Sequence, residues 1–123
     1  MDKKVVIIPT YNEKENIENI IRAVFSLEGE YHILVIEDGS PDGTAAIVKR
    51  LQEEFPERLH MIERKGKLGL GTAYITGFKW SVEHGYDYIF VLAVAPLNLV
   101  KGISVSVLTM LLYKKVARPL FGK

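Results

Sequence analysis

The 123-residue chain contains no cysteine. That excludes a disulfide framework, a zinc–thiolate site and a thiol nucleophile, and it fits a reducing compartment. It also lacks a charge bias: 16 Lys and Arg stand against 15 Asp and Glu, a net charge of +1. Both signs are interleaved, so composition implies neither nucleic acid nor an anionic membrane as partner. Long hydrophobic runs are missing too. The apolar VVII after the basic MDKK stops at Pro9, short of a signal-peptide core. Pro96, Lys101 and Gly102 interrupt the more apolar C-terminal stretch, and the ISVSVLTMLLY beyond them is too short to span a bilayer. A soluble, cytoplasmic protein is expected, with peripheral contact at the cytoplasmic membrane face open to the apolar tail. No internal repeat, low-complexity stretch or flexible linker interrupts the chain.

Hydrophobic residues make up 48% of the sequence, enough for one core and too many for a disordered chain. Their spacing alternates between two periods. Val5–Ile8 and Ile33–Ile36 are short apolar runs that suit strands buried on both faces, Leu59–Ile62 reads as a shorter third strand, and Tyr88–Ala95 as a fourth. Between the first two, Ile17, Ile20, Ile21, Val24 and Phe25 recur at helical spacing, with Asn12 and Glu15 as a capping box and Gly29 beyond the end. Asp42 or Thr44 can cap a second helix whose Ile47, Val48, Leu51 and Phe55 share a face and which Pro56 stops. A third helix is predicted over about Thr72–His84, closed by Gly85. Strand–helix alternation with short connections predicts an α/β fold, a mostly parallel sheet with helices on both faces.

In such sheets ligands bind beyond the carboxyl ends of the strands. That places four segments at a candidate site: Pro9–Glu13, Glu37–Gly43, Arg64–Gly71 and the residues after Leu92. In PTYNE, Pro9 ends pairing, Tyr11 offers a ring for stacking and Glu13 a carboxylate, while Asn12 caps the helix. Glu13 also complements the helix dipole, which alone accounts for such a residue. In IEDGSPDGT, Asp38 leaves the second strand at the same edge and can accept hydrogen bonds from a base or a ribose. The following Gly39, Ser40, Pro41, Asp42 and Gly43 are equally explained as turn residues. The basic, glycine-rich KGKLGLGTAY precedes a helix N-terminus and can approach phosphate. It is neither a dinucleotide fingerprint, since Tyr74 breaks GxGxxG, nor a P-loop. His32, His60 and His84 share no metal-ligand spacing, and Tyr74, Phe78 and Trp80 read as packing groups.

Taken in order, PTYNE, DGSPDGT and LGLGTAY resemble the family 2 glycosyltransferases, and among them the polyprenol-phosphate (dolichol-phosphate) mannose synthases. The resembling stretch runs from about Val5 to Phe90. It implies the nucleotide-binding half of a glycosyltransferase A-type, Rossmann-like fold: three α/β/α layers around a mostly parallel sheet. It also implies transfer of mannose from GDP-mannose, or a related nucleotide sugar, to a polyprenol phosphate. Pro9, Tyr11, Glu13, Ile36 and Asp38 would then contact the nucleotide.

The resemblance also implies Mg²⁺ or Mn²⁺ on the donor diphosphate, held by an Asp-x-Asp element at the end of the fourth strand. Here those positions are Ala93, Val94 and Ala95, which offer no side-chain oxygen to a hard cation. Residues 1–95 are therefore read as a nucleotide-sugar-binding region and 96–123 as an apolar tail outside the family pattern. The expectation is a truncated, recombined or frame-shifted form with little turnover, no metal, and a tail that favours a homo-oligomer. The alternatives are a non-catalytic nucleotide-binding or protein-interaction module, and a flavodoxin-like domain without a ligand at these loops.

Overall fold

The computed structural model describes residues 3–66, 69–93 and 109–115. Its elements are β1 (Lys4–Thr10), α1 (Ile17–Phe25), β2 (Tyr31–Glu37), α2 (Thr44–Glu54), β3 (Leu59–Glu63), α3 (Leu70–Glu83), β4 (Tyr88–Ala93) and β5 (Thr109–Lys115). They form one sheet in the order β3-β2-β1-β4-β5. The first four strands are mutually parallel, as the alternation predicts, and β5 runs antiparallel beside β4.

The strand order explains the layering. From β1 to β2 to β3 the chain moves one way across the sheet, then returns past β1 to place β4. Right-handed crossovers therefore send α1 and α2 to one face and α3 to the other. Alternation along β1 matches this arrangement. Val6 and Ile8 pack with Ile17, Ile20, Ile21 and Val24 of α1 and Val48 and Leu51 of α2. Val5 and Ile7 pack with Leu34, Ile36 and Ala73, with Phe78 and Trp80 of α3 alongside. This is why Val5–Ile8 and Ile33–Ile36 read as unbroken apolar runs: each of these residues is buried, on one face or the other. The three-layer α/β/α arrangement is the predicted one.

Several boundaries differ from the sequence reading. Pro9 does not end pairing; it lies within β1, in register with Ile36, and Thr10 still pairs with Glu37. Pairing of β1 with β4 stops at Ile7 and Val91, so Pro9 has one in-register neighbour, a place where a missing N–H is tolerated. Asn12 does not cap α1. It takes a left-handed φ of 58° in the loop, and the helix begins at Ile17 after Asn16. Glu13 accordingly lies ahead of α1 rather than in its first turn, although its carbonyl accepts the Ile17 N–H at 2.8 Å. α3 starts at Leu70, two residues earlier than predicted, and Gly85 follows its end with φ 78°. Leu111 and Leu112 of the apolar tail lie in β5. The positions Val94 and Ala95, and the tail up to Leu108, lie outside the described residues.

At the opposite edge from the candidate loops, His32 and His60 join an aromatic cluster with Trp80, His84 and Tyr86. His32 Nδ1 lies 2.8 Å from the Tyr86 hydroxyl, and the Trp80 and His84 rings stack at 4.0 Å. Burial, first, holds both His32 and His60 below the ordinary imidazole range. For His32 the neighbouring His60, Arg58 and Lys3 add to this while Glu30 opposes; for His60 a hydrogen bond with the Glu57 backbone opposes it, and His84 and Lys3 add to it. The unfolded chain therefore takes up these protons first, near pH 6.5. The stability contribution is intact above that pH and declines as pH falls below it, towards the lower folded-state values. Urea unfolding at pH 7.5 and 5.5 should show a larger loss for the natural chain than for a His32→Gln, His60→Gln variant. Equal losses would mean the two rings titrate as they do in the unfolded chain.

Candidate functional site

The carboxyl ends of β1, β2 and β3 release three loops that lie against one another. Side chains of the second loop bind the backbone of the first. The Asn12 N–H donates to Ser40 Oγ at 2.8 Å, the Glu13 N–H to Thr44 Oγ1 at 3.0 Å, and the Lys14 N–H to Asp42 Oδ2 at 3.1 Å. Asp42 Oδ1 in turn accepts from the Thr44 N–H at 3.0 Å and its hydroxyl at 2.6 Å. Ser40, Asp42 and Thr44, readable as turn and cap residues, thus fasten the first loop to the second. Gly43, with φ 98°, makes the left-handed turn into α2 that this requires.

The second and third loops cross closely. A Cβ on Gly39 would meet the backbone nitrogen of Gly66 at 2.8 Å, so only glycine fits at this crossing. Beside it Arg64 holds Asp38 by two parallel bonds, Nε to Oδ1 at 2.7 Å and Nη2 to Oδ2 at 2.9 Å. Below the loops Glu37, 1% exposed, accepts from the Thr10 hydroxyl at 2.5 Å, the Ser40 hydroxyl at 3.0 Å and the Ser40 N–H.

The five residues singled out in sequence all lie at this edge, in different surroundings. Pro9 is half-buried in β1, and its register partner Ile36 is wholly buried in the core beneath. Tyr11 is exposed on the first loop. Asp38 is 6% exposed, and its N–H donates to the Thr10 carbonyl at 3.1 Å, tying the ends of β1 and β2 together. Glu13 and Asp38 share the edge but not their partners: Glu13 has Asn16 at 3.5 Å, Asp38 has Arg64. Burial, chiefly, pushes the Glu13 carboxyl above its usual range, against the Asn16 hydrogen bond that lowers it and with nearby Asp42 adding to the rise.

Two residues escaped sequence reasoning. Glu37 was hidden as the last residue of an apolar strand next to a more obvious Asp. Arg64 opens the third candidate segment, just ahead of the basic, glycine-rich KGKLGLGTAY that can approach phosphate. The available signal was positional, since both stand at the carboxyl end of a buried parallel strand.

Among the described residues, no group of three or more His, Asp or Glu side chains is placed to hold a metal ion. Ala93 ends β4, and the sequence beyond it continues Val94-Ala95. These residues do not fit a divalent cation, which takes oxygen ligands. No helix among the described residues is long and apolar enough to cross a membrane.

Comparison with known proteins agrees with this fold. Over 87 residues the chain is 46% identical to the polyprenol monophosphomannose synthase of Mycolicibacterium smegmatis, covering 71% of this chain and 33% of that protein. Over 85 residues it is 41% identical to the undecaprenyl-phosphate mannosyltransferase of Micrococcus luteus, covering 69% and 35%. The chain thus spans about a third of the length of these curated relatives. Among solved structures it is similar to the mannosyltransferase PcManGT from Pyrobaculum calidifontis in complex with GDP-Man and Mn²⁺. That match has a TM-score of 0.62 and 26% identity over 72% of this chain and 26% of that one. S. aureus TarS, at 22% identity and a TM-score of 0.61 over 72% of this chain and 26% of TarS, shares the fold. Residues 5–92 match the family described as glycosyl transferase family 2, and the chain belongs to that family.

Proposed function

We propose that the chain binds GDP-mannose, or a related nucleotide sugar, at the carboxyl edge of its sheet as the donor half of a polyprenol-phosphate mannosyltransferase. Tyr11 would stack on the base, Asp38 accept from base or ribose, and Pro9, Glu13 and Ile36 shape the surroundings. The observation that carries this is the placement of Asp38, held in one orientation where the first two loops are fastened together. Transfer to a polyprenol phosphate needs parts beyond those described, and residues 93–95 bring no side-chain oxygen for Mg²⁺ or Mn²⁺. The proposal is therefore binding with little turnover and without a metal held at those positions. We further assign residues 1–95 to this role and 96–123 to a tail. In this reading the protein is cytoplasmic, the tail contacts a membrane face, and self-association occurs along the sheet edges β3 and β5.

Calorimetry with GDP tests the site. Loss of a charged acceptor costs on the order of 1.5–3 kcal/mol, so Asp38→Ala should weaken binding about tenfold or more. Tyr11→Ala, at an exposed position that leaves the core intact, should lose about 1–3 kcal/mol of stacking. A natural chain that shows no GDP binding at millimolar concentration would sink the proposal.

A further inference from the structure

We infer that Arg64 is the positioning residue of the nucleotide site: it fixes the Asp38 carboxylate for the ligand without touching the ligand itself. The inference rests on the nucleotide reading above. Arg64 is the first residue after β3, and its N–H donates to the Glu37 carbonyl at 2.8 Å, so the sheet register sets where its side chain starts. The guanidinium then reaches three segments. Nε and Nη2 hold the two oxygens of Asp38 at 2.7 and 2.9 Å, Nη1 donates to Thr72 Oγ1 at 3.0 Å, and Nη2 also donates to the Gly69 carbonyl at 3.3 Å. Thr72 Oγ1 completes the ring by donating to the same carbonyl at 2.9 Å.

Four of the five N–H directions of a guanidinium are thus committed to protein acceptors. The two side chains are only 10% and 8% exposed, which keeps the pair out of competition with water. Each Asp38 oxygen retains acceptor capacity beyond its bond to Arg64, since a carboxylate offers about four lone-pair sites. The carboxylate therefore stays an acceptor-only group facing one way. It suits a nucleoside diphosphate that presents N–H or O–H donors at its base edge or ribose. A lysine cannot reproduce this, because a point ammonium does not hold both oxygens in a plane. The same guanidinium links Asp38 to Gly69 and Thr72, at the start of α3.

A double-mutant cycle on the full 123-residue chain tests this, with GDP affinity by calorimetry and folding by circular dichroism. Arg64→Ala should weaken GDP about tenfold with Asp38 present, yet change it by less than about twofold in an Asp38→Ala background. Arg64→Lys should fall between the natural chain and Arg64→Ala. If Arg64→Ala fails to fold because Asp38 is left buried and unpaired, two comparisons still decide: Arg64→Lys against the natural chain, and the double variant against Asp38→Ala. Equal losses in both backgrounds would make Arg64 a ligand contact and overturn the inference, as would natural affinity in Arg64→Lys. Absence of GDP binding by the natural chain is a different result: it overturns the nucleotide reading, and this inference falls with it.

Discussion

Replacing Glu37 by alanine should lower the unfolding free energy by roughly 3–5 kcal/mol, a large share of what a domain of this size holds in reserve. The Glu37 carboxyl is 1% exposed and takes three hydrogen bonds, from the Thr10 hydroxyl, the Ser40 hydroxyl and the Ser40 N–H. Alanine removes all three acceptor contacts. It leaves donors in a place where water replaces the lost oxygens poorly, and each unsatisfied buried donor costs about 1–3 kcal/mol. Glutamine is the informative control. Its carbonyl can still serve the two hydroxyls, but its NH₂ faces the Ser40 N–H, donor against donor. Chemical denaturation should rank the natural chain above Glu37→Gln and that above Glu37→Ala. An alanine variant within 1 kcal/mol of the natural chain would show that Glu37 does not hold the second loop.

A comparably large effect is expected where α3 lies on β1. Ile7 is fully buried, and a Cβ built on Gly77 would lie 2.8 Å from its Cδ1 and 2.9 Å from its Cγ2. Ile7→Ala should cost about 2–5 kcal/mol through lost burial and the cavity it leaves. Gly77→Ala gains up to about 1 kcal/mol of helix propensity but forces atoms together, at a cost of about 1–3 kcal/mol, so a net loss is expected. The two changes should partly cancel when combined, because Ile7→Ala removes the very atoms that the new methyl meets. Urea midpoints should show the double variant more stable than the sum of its parts by on the order of 1–2 kcal/mol. Simple additivity would mean that helix and strand move apart to accommodate the methyl.

The fold was legible because its signals are repeated. β1 and β2 are apolar on both faces, and Ile17, Ile20, Ile21 and Val24 mark the buried stripe of α1. The misreadings are local and share a cause: a side chain's partner lay in a different loop. Asn12 has capping-box spacing to Glu15, yet its N–H goes to Ser40. Thr44 looks like a cap, yet its hydroxyl accepts from Glu13 of another loop. Nothing within a single segment reports such pairings. Asp38 was legible from its place after a buried strand. Arg64 was not, since its meaning depends on an aspartate 26 positions away in the chain.

The position of β1 has a consequence for how the chain assembles. It precedes the other four strands in the chain and ends up inside the sheet, between β2 and β4. One of its edges is satisfied early, after a single helix. The other waits for β4, and the backbone and side-chain contacts between Lys3 and Asp87 that open that pairing join residues 84 positions apart. Until then β1, with its apolar Val5–Ile8, is paired on one side only and keeps its other edge free. Such loop closure is slow, and transiently exposed strand edges are prone to aggregate. A shorter chain lacking β4 would therefore keep its most hydrophobic strand open on one side. Loss of the last parallel strand would reach the centre of the sheet rather than its rim.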